Sequence, residues 1–255
     1  MNNLKITVIQ PDIIWEKPVE NLLRYDRMIE NSEDSDLVIL PEMFSTGFTM
    51  EPERMKETMD GKSVKWMKVI AENNNCAVMG SLIIEERGRI FNRCLWVNPE
   101  GVIEYYDKKH LFTLSGEDRH YSSGNRKLVV SYKGWKICPL ICYDLRFPVW
   151  SRNREDYDFL IYIANWPSSR HQAWKALVPA RAVENQCYCI GVNRVGKDGS
   201  GLSYEGDSVI VDPKGNAKFS GNNEQIRTFE VNYEELKDFR DKFPVLKDSD
   251  EFILV

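Results

Sequence analysis

Short apolar runs suited to β-strands alternate with amphipathic helical stretches along the whole chain, and this alternation points to a layered α/β domain. Leu4 to Gln10 reads as a strand. Pro18 then opens a helical stretch in which Val19, Leu22, Leu23 and Ile29 recur near the helical period. Leu37 to Leu40 (LVIL) is a continuous apolar run of the kind found in strands covered on both faces. Ser63 to Asn73 is again helical, with Val64, Met67 and Ala71 on one side. Ala77–Ile84, Phe91–Val97 and Val102–Tyr106 are strand-like, and Asn98-Pro99-Glu100-Gly101 makes a hairpin of the last two. Leu128–Ser131 and Trp135–Ile141 pair around Lys133-Gly134. Phe159–Ala164 is a buried-type strand, and Gln172–Gln186 a helix expected to turn Ala176 and Val183 inward. Cys187–Asn193, Ser208–Val211 and Ala217–Phe219 are further strands, and Glu230–Phe239 reads as a short terminal helix. Two sheets packed face to face with helices outside fit this count, and so does one mixed sheet.

No linker, repeat or low-complexity tract divides the 255 residues, so residues 1–255 are expected to form one domain. Hydrophobic residues make up 42%, enough for a core that needs no disulfide or metal staple. A net charge of -5, with both signs dispersed, offers no basic surface for nucleic acid or an anionic membrane. No apolar run approaches the roughly 20 residues that cross a bilayer, and the opening residues lack the pattern of a signal peptide. The six cysteines form no CxxC pair and no secreted framework, which points to reduced thiols in the cytoplasm.

Three polar residues stand where apolar strands end. Cys142 follows Lys136–Ile141 and precedes Tyr143-Asp144-Leu145-Arg146, so it sits at a strand end with a turn behind it. N–H groups after such a turn can point at a developing oxyanion. A free cysteine is also a common small core residue. As a nucleophile it needs activation, because only about 3% of an ordinary thiol is ionised at pH 7. Histidine is the usual partner, and His110, His120 and His171 are available, though the papain-type signature is absent. Glu42, in Leu40-Pro41-Glu42-Met43-Phe44, is a second base candidate: proline ends the strand and leaves the carboxylate at its rim. Lys108 and Lys109 directly follow a strand, and alternation sends one of them inward. An inward ammonium beside Cys142 favours thiolate and an oxyanion. The cysteine and histidine spacings show no metal site.

The segments LPEMFSTGF (40–48), YDKKHLF (106–112), LICYDLRFP (140–148) and ANWPSSRHQAWKALVPARAVENQ (164–186) resemble the nitrilase, or carbon–nitrogen hydrolase, superfamily in order, spacing and local sequence. The resemblance runs from the opening strand to Asp207–Asp212. It implies a four-layer αββα sandwich of two mixed sheets, a Glu–Lys–Cys triad at Glu42, Lys108 and Cys142, and a supporting glutamate at Glu117. Lys108 rather than Lys109 matches the family's K-x-H-L-F segment. The backbone N–H of Tyr143 is the expected second oxyanion donor. The resemblance also implies no cofactor and paired subunits, a homodimer or higher homo-oligomer. Within the superfamily the chain looks like the omega-amidases, which cleave the terminal amide of 2-oxoglutaramate and 2-oxosuccinamate. It departs from many relatives at Val149, where an acidic residue is common after the proline.

Such a small amide carries a carboxylate, for which Arg146 and Arg170 are candidates, since guanidinium binds carboxylate bidentately; an ion pair with a nearby Asp or Glu is the plainer alternative. Phe44 and Trp166 are candidate apolar walls, or core. Another hydrolase of the same family, a papain-like peptidase and a non-catalytic binding protein on the same fold remain open at this point.

Overall fold

The computed structural model describes residues 3–253. The first half runs β1 (Asn3–Gln10), α1 (Pro18–Glu30), β2 (Leu37–Ile39), α2 (Pro52–Met55), α3 (Lys62–Asn73), β3 (Ala77–Glu86), β4 (Arg89–Val97), β5 (Ile103–Asp107) and α4 (Glu117–His120). Next come β6 (Val130–Tyr132), β7 (Trp135–Ile141), α5 (Pro148–Ser151), β8 (Phe159–Ile163), α6 (His171–Asn185) and β9 (Tyr188–Val192). The chain continues through β10 (Val195–Lys197), β11 (Ser203–Glu205), β12 (Val209–Val211), β13 (Ala217–Phe219), β14 (Gln225–Asn232) and α7 (Tyr233–Lys242).

Two six-stranded sheets result, in the orders β14-β1-β2-β3-β4-β5 and β13-β12-β9-β8-β7-β6. Both are mixed: β1, β2 and β3 run parallel, as do β7, β8 and β9, while antiparallel strands flank them. Strand alternation explains the layering. Leu4, Ile6, Val8, Leu37, Ile39, Ala77 and Met79 share a core with Ile137, Leu140, Ile161 and Ile163 of the other sheet. The intervening Ile9, Val38, Val78, Leu95 and Val97 turn outward and meet Leu22, Tyr25, Val64 and Met67 of α1 and α3. On the far side Trp174, Val178 and Ala182 of α6 cover β9 and β12. The architecture is an αββα sandwich, and of the two arrangements compatible with the strand count the single sheet is excluded.

Three details differ from the sequence expectation. In α6 the buried face carries Trp174, Val178, Arg181, Ala182 and Asn185, whereas Ala176 and Val183 face outward. Two of those inward residues are polar, Arg181 bonded to Leu145 O at 2.6 Å and Asn185 to Asn153, so hydrophobicity does not mark the face. In α1 Leu22 and Ile29 are buried but Val19 and Leu23 are exposed, and Asn21 takes an inward place by bonding Ile14 and Ser45. Finally, Glu230–Asn232 belong to the edge strand β14, paired along its length with β1, and α7 begins only at Tyr233.

Candidate active site

Glu42 owes its position to the way β2 ends. Leu40 makes a last strand-like bond to Met79 O (2.8 Å), and Pro41 has no N–H with which to continue the ladder. Met43 then turns the chain at φ 44°, its N–H donating to Ser81 Oγ at 2.8 Å. The Glu42 carboxylate ends fully buried between three donors. Lys108 Nζ and Asn92 Nδ2 each reach Oε1 at 2.8 Å, and the N–H of Asn165 reaches Oε2 at 2.9 Å. The Asn165 side chain also donates to Glu42 O at 2.6 Å, tying the second sheet to the first.

Lys108 follows β5, and its N–H extends the ladder to Asn92 O at 3.0 Å. Alternation does send it inward: Lys108 is buried and Lys109 lies partly exposed beside the Trp150 ring. Its ammonium donates to Glu42 and to both oxygens of Glu117, each at 3.0 Å in the second case. Glu117 opens α4 and accepts the N–H of Phe112 at 2.6 Å. Burial works to lower the Lys108 pKa, but the charges of Glu117 and Glu42 outweigh it and hold the ammonium charged above the ordinary lysine range. Burial raises the Glu117 pKa, and Lys108 offsets this only in part.

Cys142 starts a 3-10 turn, Cys142–Arg146, immediately beyond β7. Its φ of 43° lies in the left-handed region that non-glycine residues rarely occupy, a local strain found where a side chain is aimed for function. The buried Asp144 carboxylate holds this turn. It accepts from the N–H of Ile141 and of His110, both at 3.0 Å, and from Tyr106 Oη at 2.8 Å, and shares a 2.7 Å bond with His110 Nδ1. Asp144 thus bolts the cysteine's turn to the segment that carries Lys108. The sulfur lies 3.9 Å from Asn165 O, and the charges of Glu42 and Lys108 both act on it. Burial first, and then the negative charge of Glu42, push the thiol well above its ordinary pKa, Lys108 offsetting only part. Both influences favour the thiol over the thiolate, unlike those in a thiolate–imidazolium pair.

A cavity of about 460 Å³ opens on Cys142 and Lys108. Tyr143, Arg146, Asn165, Trp166 and Arg170 line it, with Phe48, Phe112 and Tyr204. Arg146 stacks on Trp166 (5.1 Å) and Arg170 on Phe112 (4.9 Å), and neither guanidinium is paired with a carboxylate among the described residues. The ion-pair alternative is thereby removed. Phe44 does not reach the cavity. It packs between Tyr25 and Trp66, in space left by Gly80, where an added Cβ would fall 2.8 Å from the Phe44 ring. Trp166 does both jobs, buried by its surroundings yet bordering the cavity.

No histidine borders the cavity among the described residues: His110 is engaged by Asp144, His171 by Asp207 at 2.8 Å, and His120 is exposed. The papain-like alternative loses its base. Nor does any group of three His, Cys, Asp or Glu there form a metal cage. Sequence inspection overlooked Asn92, Asn165, Asp144 and Tyr106. An asparagine inside an apolar strand, as in Phe91-Asn92-Arg93, was the one available hint, since a buried amide must find partners.

The sequence pattern of the carbon–nitrogen hydrolase family matches residues 5–241. An omega-amidase, YafV, of Escherichia coli strain K12 is 43% identical, with both chains covered in full. A 2-oxoglutaramate amidase of Bacillus subtilis strain 168 is 33% identical over 95% of this chain and 96% of its own. Among solved structures, XC1258 of Xanthomonas campestris, a CN-hydrolase superfamily protein with an arsenic adduct in its active site, superposes with a TM-score of 0.98 at 41% identity over the whole of both chains.

Proposed function

Because this chain belongs to the carbon–nitrogen hydrolase family, we propose that it is an omega-amidase, hydrolysing the terminal amide of 2-oxoglutaramate or 2-oxosuccinamate to the oxo acid and ammonia. It is a hydrolase of carbon–nitrogen bonds other than peptide bonds. The observation that carries the substrate class is one cavity shared by Cys142, Lys108 and two arginines free of carboxylate partners. An anionic head group meets the guanidinium side, and the amide meets the sulfur.

The geometry supports the following roles. Burial and the charge of Glu42 both favour the neutral thiol, so its proton leaves as the bond forms, and the Glu42 carboxylate, whose charge acts on the sulfur, takes it. Cys142 Sγ attacks the amide carbonyl, and the oxyanion is held by Lys108 Nζ and the N–H of Tyr143, which lies in the first turn of a helix where N–H groups lack internal acceptors. Glu42 returns its proton to the departing amine, so ammonia leaves a thioester. Water then attacks that thioester, giving a proton to Glu42, and the oxo acid departs with a proton restored to the sulfur. Glu117 acts through Lys108, fixing the ammonium between two carboxylates.

The same reading takes residues 1–255 as one working domain without a cofactor, paired as a homodimer or higher homo-oligomer in the cytoplasm. All six cysteines are free, and no helix among the described residues is long and apolar enough to cross a membrane.

Ammonia release from 2-oxoglutaramate, glutamine, a simple nitrile and an N-carbamoyl amino acid tests the assignment. The oxo-acid amide is expected to give the highest kcat/KM; finding it among the poorest overturns the substrate class while leaving the family untouched.

A further inference from the structure

We propose that Asn92 is a positioning residue for the base: its side-chain amide bridges the Glu42 and Glu117 carboxylates and keeps Glu42 free to accept the thiol proton. This rests on the amidase reading and deepens it. Asn92 Nδ2 lies 2.8 Å from Glu42 Oε1 and 3.3 Å from Glu117 Oε1, while its backbone oxygen takes the Lys108 N–H at 3.0 Å. Carboxylates only accept, so the nitrogen rather than the oxygen of the amide must face them, and its two N–H bonds match the two acceptors. The amide oxygen is left buried without a partner. Such a loss is tolerated where the donor end does something a satisfied side chain cannot.

The need for a bridge follows from the charges. Two carboxylates and one ammonium sit together, with Glu42, Lys108 and Glu117 all buried. The charge of Glu42 disfavours ionisation of Glu117, and a proton resting on Glu42 would disable it as a base. Lys108 neutralises one charge. Asn92 supplies hydrogen bonds to the remainder without adding charge. It does so from within β4, paired on both sides, whereas Glu42 and Lys108 stand just past strand ends and Glu117 opens a short helix. The other titratable groups facing the pair are Cys142, beyond β7, and Tyr121, whose hydroxyl is held by Thr49 O at 2.7 Å and on which the charge of Glu16 acts. Arg93, the next residue of β4, points to the opposite face.

The test is the pH profile. In Asn92→Asp the side chain keeps its size but offers a third acid, which must hold a proton to avoid a like-charge contact. The acidic limb of kcat/KM for 2-oxoglutaramate is expected to move alkaline by about one pH unit, with activity near pH 7 down about tenfold and recovering at higher pH. Asn92→Ala, which removes the donor without adding charge, is expected to move the limb the same way by less. Alkylation of Cys142 by chloroacetamide against pH supplies a readout independent of substrate, and its profile is expected to shift in parallel. A uniform loss of rate with an unshifted limb, in ammonia release and in alkylation, overturns the proposal and leaves Asn92 a packing residue. Should the wild type hydrolyse none of the amides, the substrate reading fails, and the alkylation profile alone decides for or against Asn92.

Discussion

Consecutive rungs of the β4–β5 ladder carry charged pairs on opposite faces, one outside and one inside. On the outer face Arg93 grips Asp107 with Nε at 2.6 Å and Nη2 at 3.0 Å, reaches Glu86 at 3.1 Å, and stacks on Tyr105 at 3.8 Å. On the inner face, one residue away on each strand, Asn92 and Lys108 face Glu42 and Glu117. The arginine is as buried as the lysine. The acids differ: Glu86 keeps 41% and Asp107 15% of its side chain exposed, whereas Glu42 and Glu117 keep none. Water can therefore solvate whatever charge Arg93 leaves unmatched, and the outer cluster has only to hold strands together. The inner cluster is buried and meets the cavity only at Lys108 and Cys142, so its charge is balanced chiefly by protein groups. That is the condition under which a carboxylate can take a proton from a neighbouring thiol and give it back.

The largest effect belongs to the sulfur. Cys142→Ala is expected to lower kcat by about 10⁵-fold or more, the scale seen when a nucleophile is removed, with the fold retained by circular dichroism. Lys108→Met comes next. It removes an oxyanion donor, costing about 10³-fold in kcat, and strands two buried carboxylates, costing about 3–5 kcal/mol of stability measured by denaturant titration. Arg93→Met is the contrasting change on the outer face. It should cost about 1–3 kcal/mol, because charge-assisted bonds are lost but the acids hydrate, and leave kcat within about twofold. A collapse of kcat in a folded Arg93→Met protein breaks the distinction between the two faces.

Arg170→Ala and Arg146→Ala probe the cavity rather than the cluster. Whichever arginine meets the carboxylate should raise KM about tenfold with kcat little changed, the mark of binding shared by ground and transition states. The smallest effect is in the pH dependence of stability. The folded pKa of Lys108 is raised above the free lysine value of 10.5, so its stabilisation is complete below that pH and is lost as pH rises past it. Arg93 starts from the higher ordinary range of a guanidinium and is also raised. Between roughly pH 9 and 11.5 the Tm gap from wild type should narrow for Lys108→Met and stay level for Arg93→Met. Equal narrowing in both would mean the clusters are electrostatically alike.

Sequence inspection reached what local pattern can encode. LVIL followed by proline marks a strand end with Glu42 beyond it, and the apolar run before Cys142 marks another. The parallel-strand core was legible because its runs are apolar on both faces. Strand β14 was not, since Gln225–Asn232 is an edge largely open to solvent and its partner β1 lies more than two hundred residues away in sequence. The inward face of α6 was hidden because Arg181 and Asn185 are buried on it. Likewise Asn165 and Asp144 carry no local signal, and Asn92 only that of an amide inside a strand. Their importance comes from partners brought by other strands, and the positive φ of Cys142 comes from the turn that Asp144 holds. Phe44 shows the converse: an aromatic beside Glu42 in sequence belongs to the core because Gly80 leaves it room there.

The most direct measurement is intact-protein mass spectrometry with peptide mapping after rapid acid quench of the enzyme turning over 2-oxoglutaramate. A covalent acyl group should be found on the peptide containing Cys142, absent from Cys142→Ala and strongly reduced in Glu42→Gln. Turnover at the wild-type rate in Cys142→Ala, or an acyl group on any other residue, would contradict cysteine attack assisted by the buried carboxylate.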